Sequence, residues 1–511
     1  MPYRGRPPRV LFATSNGTGL GHLNRAMAIT RRLPPRSEVS IFTLSQAAPV
    51  VARNGIEVDY MASYRRAASG TDRAWNLRLR AVLEGLLEER RPDVVVFDGV
   101  HPYRALTHVL SRRGAPPSIW CRRPMWREGS AQAPIRRAGA FDAILEPGEL
   151  AAREDRGPTV EQRAEAVCVE PIIYLDPEEL LEREAAAAKL GLDPDRPTAL
   201  VNLGQGGEVD GAVARTLEAL AALPGMQVAA LQSSIAAGLR VPPGVVHLRS
   251  TFPMSRYLRA FDVVVAAAGY NSFHELIAFG VPTLFVPMAR NTDDQPARAR
   301  WAAAEGASLA VSGASDSMLE QRIAELCDPD RAAELRARAL AAFPGNGAGP
   351  AANLVAAMAT GEAPAPAVRE RGRFNRWLRM SSHPVGPTLP LVAALGARDL
   401  LSHPERRAPR LLVLALGVPD EELILRLRSA IADEDPSRVL VLTDSLQFSD
   451  LRGLGVGFEL LTRAPGRTQE RELGALRDRI AILIRGRRPR RAISIGELGA
   501  ELLAIPPREA G

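Results

Sequence analysis

Cysteine, lysine and aromatic side chains are all scarce in this 511-residue chain. Its three cysteines, Cys121, Cys168 and Cys327, are odd in number and far apart. They give neither a disulfide framework nor a metal-ligand spacing, and their free state implies a reducing cytoplasm. Aromatics are 5% of residues against 46% hydrophobic content, which suits an Ala-, Leu- and Val-rich α/β protein better than an all-β one. Lys189 is the only lysine, so the net charge of +7 rests on arginine. That excess is compatible with nucleic acid, an anionic membrane surface or phosphorylated small molecules, and by itself selects none of them. No apolar run approaches the ~18 residues that a spanning helix needs. The basic start, Met1 to Arg9, opens into a short strand instead of the apolar core of a signal peptide. The expected location is cytoplasmic, with peripheral association with the inner membrane left open.

What is present is a repeated strand–helix alternation. Arg9 to Thr14, Glu38 to Leu44, Ile56 to Tyr60, Asp93 to Phe97, Ser118 to Cys121 and Phe141 to Leu145 have the character of strands, with helical patterns between them. Such units predict a parallel sheet covered by helices on both faces. They define a first Rossmann-like domain over 1–170. A second set of units, 171–360, begins after Pro171 to Pro177, and its last helix, Pro350 to Thr360, is placed to cross back to the first domain. Residues 361–408 form an Arg/Pro-rich linker, with Ala363-Pro364-Ala365-Pro366 followed by arginines from Arg369 to Arg379 around Phe374 and Trp377. Residues 409–511 are expected to form a small accessory α/β domain.

Two glycine-rich turns stand where strands pass into helices. The first is Gly17-Thr18-Gly19-Leu20-Gly21-His22. It allows close backbone approach by a ligand and opens a helix whose N-terminus favours anions. It lacks the third glycine of the dinucleotide fingerprint, so a Rossmann cofactor site is disfavoured. His22 at its exit is a candidate base; the plainer reading is a capping histidine. Asp98 ends the buried strand at the same sheet edge, within reach of His22, where a carboxylate orients an imidazole. A turn aspartate explains it equally well. The second turn is Gly204-Gln205-Gly206-Gly207, a weak signal for a diphosphate by itself.

The most informative stretch is Val263 to Glu275, a buried strand, a glycine turn and the first turn of a helix. Asn271 is a good N-cap residue there. Glu275 lies off the apolar face made by Phe273, Leu276, Ile277 and Gly280, and is placed to accept hydrogen bonds from two vicinal hydroxyls. Asp294 and Gln295 begin the next helix, where they suit sugar hydroxyls or simple capping.

Gly17 to His22, Gly269-Tyr270-Asn271-Ser272-Phe273-His274-Glu275, Gly280 to Pro287 and Asp294-Gln295-Pro296-Ala297-Arg298-Ala299 together resemble the GT-B glycosyltransferases of family 28 over residues 8–360. The resemblance implies two Rossmann-like domains facing a cleft. It implies that Glu275 binds the ribose, that Gly269, Asn271 and Ser272 approach the phosphates with the turn 204–207, and that Asp294 and Gln295 bind the hexose. Phe252 and Met254 match the place that flanks the base. His22 matches a proposed general base and Asp98 its carboxylate partner. Tyr270 and His274 lie at variable places in the motif and receive no role.

The implied activity is inverting transfer of a hexose from a nucleoside-diphosphate sugar to an acceptor hydroxyl. UDP is the default base, with TDP and GDP open. No cofactor and no metal is implied beyond the co-substrate. The partners are the nucleotide sugar and a small or lipid-linked acceptor. A nucleotide-sugar epimerase of related fold and a non-catalytic nucleotide-sugar binder are the alternatives. Nucleic-acid or bilayer binding by Arg369 to Arg379 weighs less than a solvated linker.

Overall fold

The computed structural model describes residues 6–15, 20–64, 72–130, 132–204, 207–231, 242–248, 251–311, 316–362, 409–461, parts of 473–484, and 489–504. The Arg-rich stretch and its proline linker, 363–408, lie outside the described residues, as do Gly17, Thr18, Gly19, Gln205 and Gly206.

The first domain carries β1 (Arg9–Thr14), β2 (Glu38–Thr43), β3 (Glu57–Tyr60), β4 (Val94–Asp98), β5 (Ser118–Cys121), β6 (Ala143–Pro147) and β7 (Val167–Val169). The second carries β8 (Thr198–Asn202), β9 (Gln227–Leu231), β10 (Val246–Leu248), β11 (Val263–Ala266), β12 (Thr283–Phe285) and β13 (Leu309–Ala310). Beyond the linker come β14 (Leu411–Ala415), β15 (Val439–Thr443), β16 (Gly457–Leu460) and β17 (Arg491–Ser494). The central strands β1, β4, β8 and β11 are buried on both faces, which is why they are near-continuous runs of Val, Leu, Ile and Ala.

The second sheet has the order β10-β9-β8-β11-β12-β13, all parallel. The first has eleven strands, β17-β14-β15-β16-β3-β2-β1-β4-β5-β6-β7. The described residues of 409–504 form an α/β unit, but its sheet is not separate. It continues the first domain's sheet through an antiparallel contact between β16 and β3. The sequence carries no sign of that junction, because edge pairing uses backbone groups that every strand owns.

The last helix of the second domain, Ala348–Thr360, does cross back: it packs on the helix Gly21–Thr30 and on β1, β4 and β7. At its start Gly347 lies so near the interdomain connection that an added Cβ would meet Glu170 O at 1.9 Å. Only glycine fits there. The two sheets thus present their carboxyl ends to a common cleft, the place where open parallel sheets bind ligands.

Candidate active site in the interdomain cleft

His22 is the second residue of the helix Gly21–Thr30, and Asp98 is the last residue of β4, the strand next to β1. This brings them together: His22 Nδ1 lies 2.6 Å from Asp98 Oδ1. Arg25, one helical turn beyond His22, completes the group. It donates from Nε to Asp98 Oδ2 at 2.7 Å and from Nη2 to Asp98 Oδ1 at 2.5 Å. Arg25 is 2% exposed and Asp98 0%, so this is a buried ion pair. Burial alone drives the Asp98 carboxyl upward. The Arg25 charge and the hydrogen bonds from His22 and Arg25 outweigh it and hold the carboxyl below its ordinary value. An ionised Asp98 only accepts, so Nδ1 of His22 carries the proton toward it. Every hydrogen-bond partner of the ring among the described residues lies at Nδ1, which leaves Nε2 for a substrate.

The second domain meets this group directly. Its helix Tyr270–Ala278 follows β11 and points its N-terminus at that of Gly21–Thr30. The helix starts two residues earlier than expected, because Gly269 takes the extended N-cap conformation. Asn271 is therefore not the N-cap; it lies inside the first turn and donates from Nδ2 to Gly21 O at 3.2 Å. The Tyr270 ring stands 5.2 Å from the Arg25 guanidinium carbon, across the cleft. Glu275 accepts from Asn24 Nδ2 at 3.3 Å. Burial pushes the Glu275 carboxyl up to about 7, even though Asn24, the backbone of Tyr174 and Ser255 work to lower it. Beside it, Asn24 Oδ1 is buried without a hydrogen bond. A carboxyl held out of water beside an unpaired amide oxygen suits a ligand carrying hydroxyls. Phe252 and Met254 are half-buried nearby, with the Phe252 ring 5.1 Å from that of Tyr174.

The remaining expected residues are more engaged with the protein itself. Asp294 caps the helix Gln295–Ala304, accepting from Ala297 N at 3.1 Å. Gln295 is buried; its Oε1 accepts from Met288 N at 3.0 Å and its Nε2 donates to Asp293 at 3.3 Å. An added Cβ on Gly269 would lie 3.7 Å from that Nε2, so Gln295 backs the turn before Tyr270–Ala278. Ser272 is half-buried in the same helix and Gly21 is exposed at the start of its own. Gly204 has φ of +86°, which its turn requires, and Gly207 begins the following helix. Over Gly204 sits Arg290, whose Nη2 would be 3.6 Å from an added Cβ.

Sequence reasoning missed Arg25, Asn24 and Arg290. Helical spacing from His22 was a usable signal for Arg25. It also missed the joint between the domains. Arg298 is fully buried and donates to Glu149 at 2.8 Å and to Asp293 at 2.6 Å; Asp293 also binds Arg123. Arg298 and His274 hold Glu149 down at about 2 in spite of its burial. His274 Nδ1 faces Tyr270 O at 2.7 Å, and its Nε2 accepts from Leu150 N at 3.3 Å. Tyr270 and His274, given no role from sequence, thus lock the joint; Tyr270 also donates to Gly148 O at 2.9 Å.

Residues 245–346, which contain β11, the helix Tyr270–Ala278 and the capped helix after it, match the model of the glycosyltransferase family 28 C-terminal domain. The chain is a glycosyltransferase that carries a family 28 C-terminal domain. Its similarity to curated proteins runs well beyond that segment. It is 27% identical over 372 residues to the UDP-N-acetylglucosamine–N-acetylmuramyl-(pentapeptide) pyrophosphoryl-undecaprenol N-acetylglucosamine transferase of Clavibacter sepedonicus, covering 70% of this chain and 93% of that one. The transferase of the same name from a Nocardioides strain is 29% identical over 283 residues, covering 52% and 74%. Among solved structures, the glycosyltransferase SnogD from Streptomyces nogalater aligns at 18% identity with a TM-score of 0.47, covering 69% of this chain and all of that one. This glycosyltransferase uses a nucleotide sugar, and no helix among its described residues is long and apolar enough to cross a membrane.

Proposed function

We propose that this glycosyltransferase moves a hexose from its UDP-linked donor to a hydroxyl of a lipid-linked acceptor, with inversion at the anomeric carbon and His22 as general base. The observation that carries the reading is the His22–Asp98 contact at 2.6 Å, with the donor-domain helix Tyr270–Ala278 set directly against it. The relatives' names supply UDP-N-acetylglucosamine as the donor to try first and an undecaprenol-linked pyrophosphate as the acceptor class.

The acceptor O–H gives its proton to His22 Nε2 while its oxygen forms the bond to the anomeric carbon. The bond from that carbon to the phosphate oxygen breaks, and the nucleoside diphosphate leaves with the electron pair. Asp98, ionised and fixed by Arg25, keeps the His22 ring oriented as it takes the proton. The leaving diphosphate gains negative charge near two helix N-termini, Gly204 and Arg290, which compensate it without a metal in the scheme. Glu275 accepts from the ribose hydroxyls. Asp294 and Gln295 are tied to the backbone, so hexose contacts from them need a local exchange of hydrogen bonds.

A thermal-shift screen of nucleotide sugars followed by product analysis tests the assignment. The expected result is a shift with a UDP-sugar and a new glycosidic bond on a pyrophosphoryl-lipid acceptor. An isomerised free nucleotide sugar, or a shift confined to TDP- or GDP-sugars, overturns it.

A further inference from the structure

Residues 409–504 repeat the first half of the first domain. The order β3-β2-β1-β4 is matched by β16-β15-β14-β17, with the same parallel pairings. From the helix before the second strand through the third, the two copies keep an offset of 400 residues. Leu23 and Met27 are buried in one copy, Leu423 and Leu427 in the other. Thr43 Oγ1 accepts from Ser45 N at 3.0 Å, and Thr443 Oγ1 from Ser445 N at 3.0 Å. Ser45 Oγ accepts from Ala47 N at 3.2 Å, and Ser445 Oγ from Gln447 N at 3.2 Å. Gly55 and Gly455 have φ of +74° and +73°. Met61 N donates to Thr43 O and Leu461 N to Thr443 O.

The copies meet through their equivalent strands. β3 and β16 pair antiparallel, and the paired residues are Tyr60 and Leu460, which are each other's counterparts. A residue that faces its own counterpart marks a two-fold axis, as at an isologous dimer interface. Around it Tyr60 is 5.3 Å from the Phe448 ring and 6.1 Å from that of Phe458, in one continuous core. At the rim Arg452 Nη1 donates to Gln46 Oε1 at 3.4 Å.

The chemistry did not survive in the second copy. Thr14 and Ala415 hold the same place, because they pair with Thr43 and Thr443. The register on the other side then puts Ile495 where the first copy has Asp98. Glu422 stands in the place of His22, and Leu425, 73% exposed, in that of Arg25.

We propose that residues 409–504 are an internal, catalytically empty copy of the first domain's leading half, and that they act as a built-in dimer partner sealing the β3 edge. An unsealed edge strand is a template for pairing with another chain, and among the described residues β16 is the strand that pairs with β3 on that side. Hydrogen exchange on the full-length protein tests this, with Phe448→Arg to force the joint and Gln46→Arg to place like charges at its rim. In Phe448→Arg, segments 57–61 and 457–461 are expected to lose protection together, by about tenfold or more, and the chain to self-associate in light scattering. Segment 411–415 reports whether the module itself remains folded. If it does not, Gln46→Arg decides: the two segments must again accelerate in step. Unchanged protection of 57–61 in a variant whose 457–461 exchanges freely overturns the edge-sealing role. Transfer activity remaining in His22→Ala but lost on disrupting the module core with Leu412→Asp overturns the absence of a second site.

Discussion

Arg25→Met is the perturbation that separates the reading of the dyad from a generic buried ion pair. The guanidinium gives Asp98 two hydrogen bonds, at 2.7 and 2.5 Å, in a site closed to solvent. Methionine has similar bulk and restores neither bond nor charge. Breaking a buried pair from one side costs about 3–5 kcal/mol, most of it the penalty of an unpaired charge. The pH dependence follows from the direction of the Asp98 shift. A carboxyl depressed in the folded state contributes stability that is present above its unfolded value of about 3.9 and is lost as pH falls through the folded one. Without Arg25, burial is opposed by His22 alone and the carboxyl rises, so the variant pays most where Asp98 must be ionised. The urea midpoint of the transition that includes the first domain should therefore fall strongly at pH 7 and much less near pH 4. In catalysis, the dyad left with a net negative charge retains a proton to higher pH, and the acidic limb of kcat/KM moves upward. Arg25→Lys restores the charge through a single donor and should recover part of both effects. Equal destabilisation at the two pH values with an unmoved rate profile would refute this account of Arg25.

His22→Ala should lower kcat by about 10²–10⁴-fold while leaving nucleoside diphosphate affinity nearly unchanged, as read by calorimetry; a near-normal rate removes the base assignment. Because Glu275 is pushed up to about 7 and must be ionised to accept from two hydroxyls, binding of UDP should release protons below pH 7 and tighten as pH rises to it. Calorimetry in buffers of different ionisation enthalpy measures the release, and Glu275→Gln should abolish it. Arg298→Met takes the guanidinium from Glu149 and leaves Asp293 to Arg123, which predicts a loss of about 3–5 kcal/mol and faster hydrogen exchange in segments 123–127 and 149–151.

Much of the architecture was legible because it is written in periodicity. Buried parallel strands such as Val94 to Phe97 and Val263 to Ala266 leave uninterrupted apolar runs, and His22 and Asp98 were placed together by the rule that parallel strands end at one edge. Short edge strands were harder. β13 has two residues and β17 is half-exposed, so neither has an apolar run to find. The N-terminus of Tyr270–Ala278 was misplaced by two residues because Asn271 has a capping side chain, while the backbone conformation of Gly269 decides the start. Arg25 and Arg298 look like surface arginines in an arginine-rich chain. Only their partners, seventy-three positions away for Asp98 and one hundred and forty-nine for Glu149, make them interior residues. The internal repeat escaped notice for a related reason: what the copies share is burial and turn geometry, while few side-chain identities remain.

Asn24 gives the cleft a property that neither domain has alone. It belongs to the first domain, yet its Nδ2 donates to Glu275 of the second, and its own Oδ1 is buried without a partner. A ribose that reaches Glu275 meets both groups. It replaces the Asn24 donor on the carboxylate and offers hydroxyl protons to either acceptor. The 3.3 Å contact is long, so the bond given up is at the weak end of the ~0.5–1.5 kcal/mol range, while the unpaired Oδ1 has more to gain. The balance favours Asn24 as a nucleotide contact over Asn24 as a plug. Asn24→Ala should therefore weaken UDP binding, by about 2–10-fold, and Asn24→Asp should weaken it further near pH 7 by setting a second carboxylate against Glu275. Tighter binding in Asn24→Ala would mean that the residue only blocks the site, and the ribose would then rest on the second domain alone.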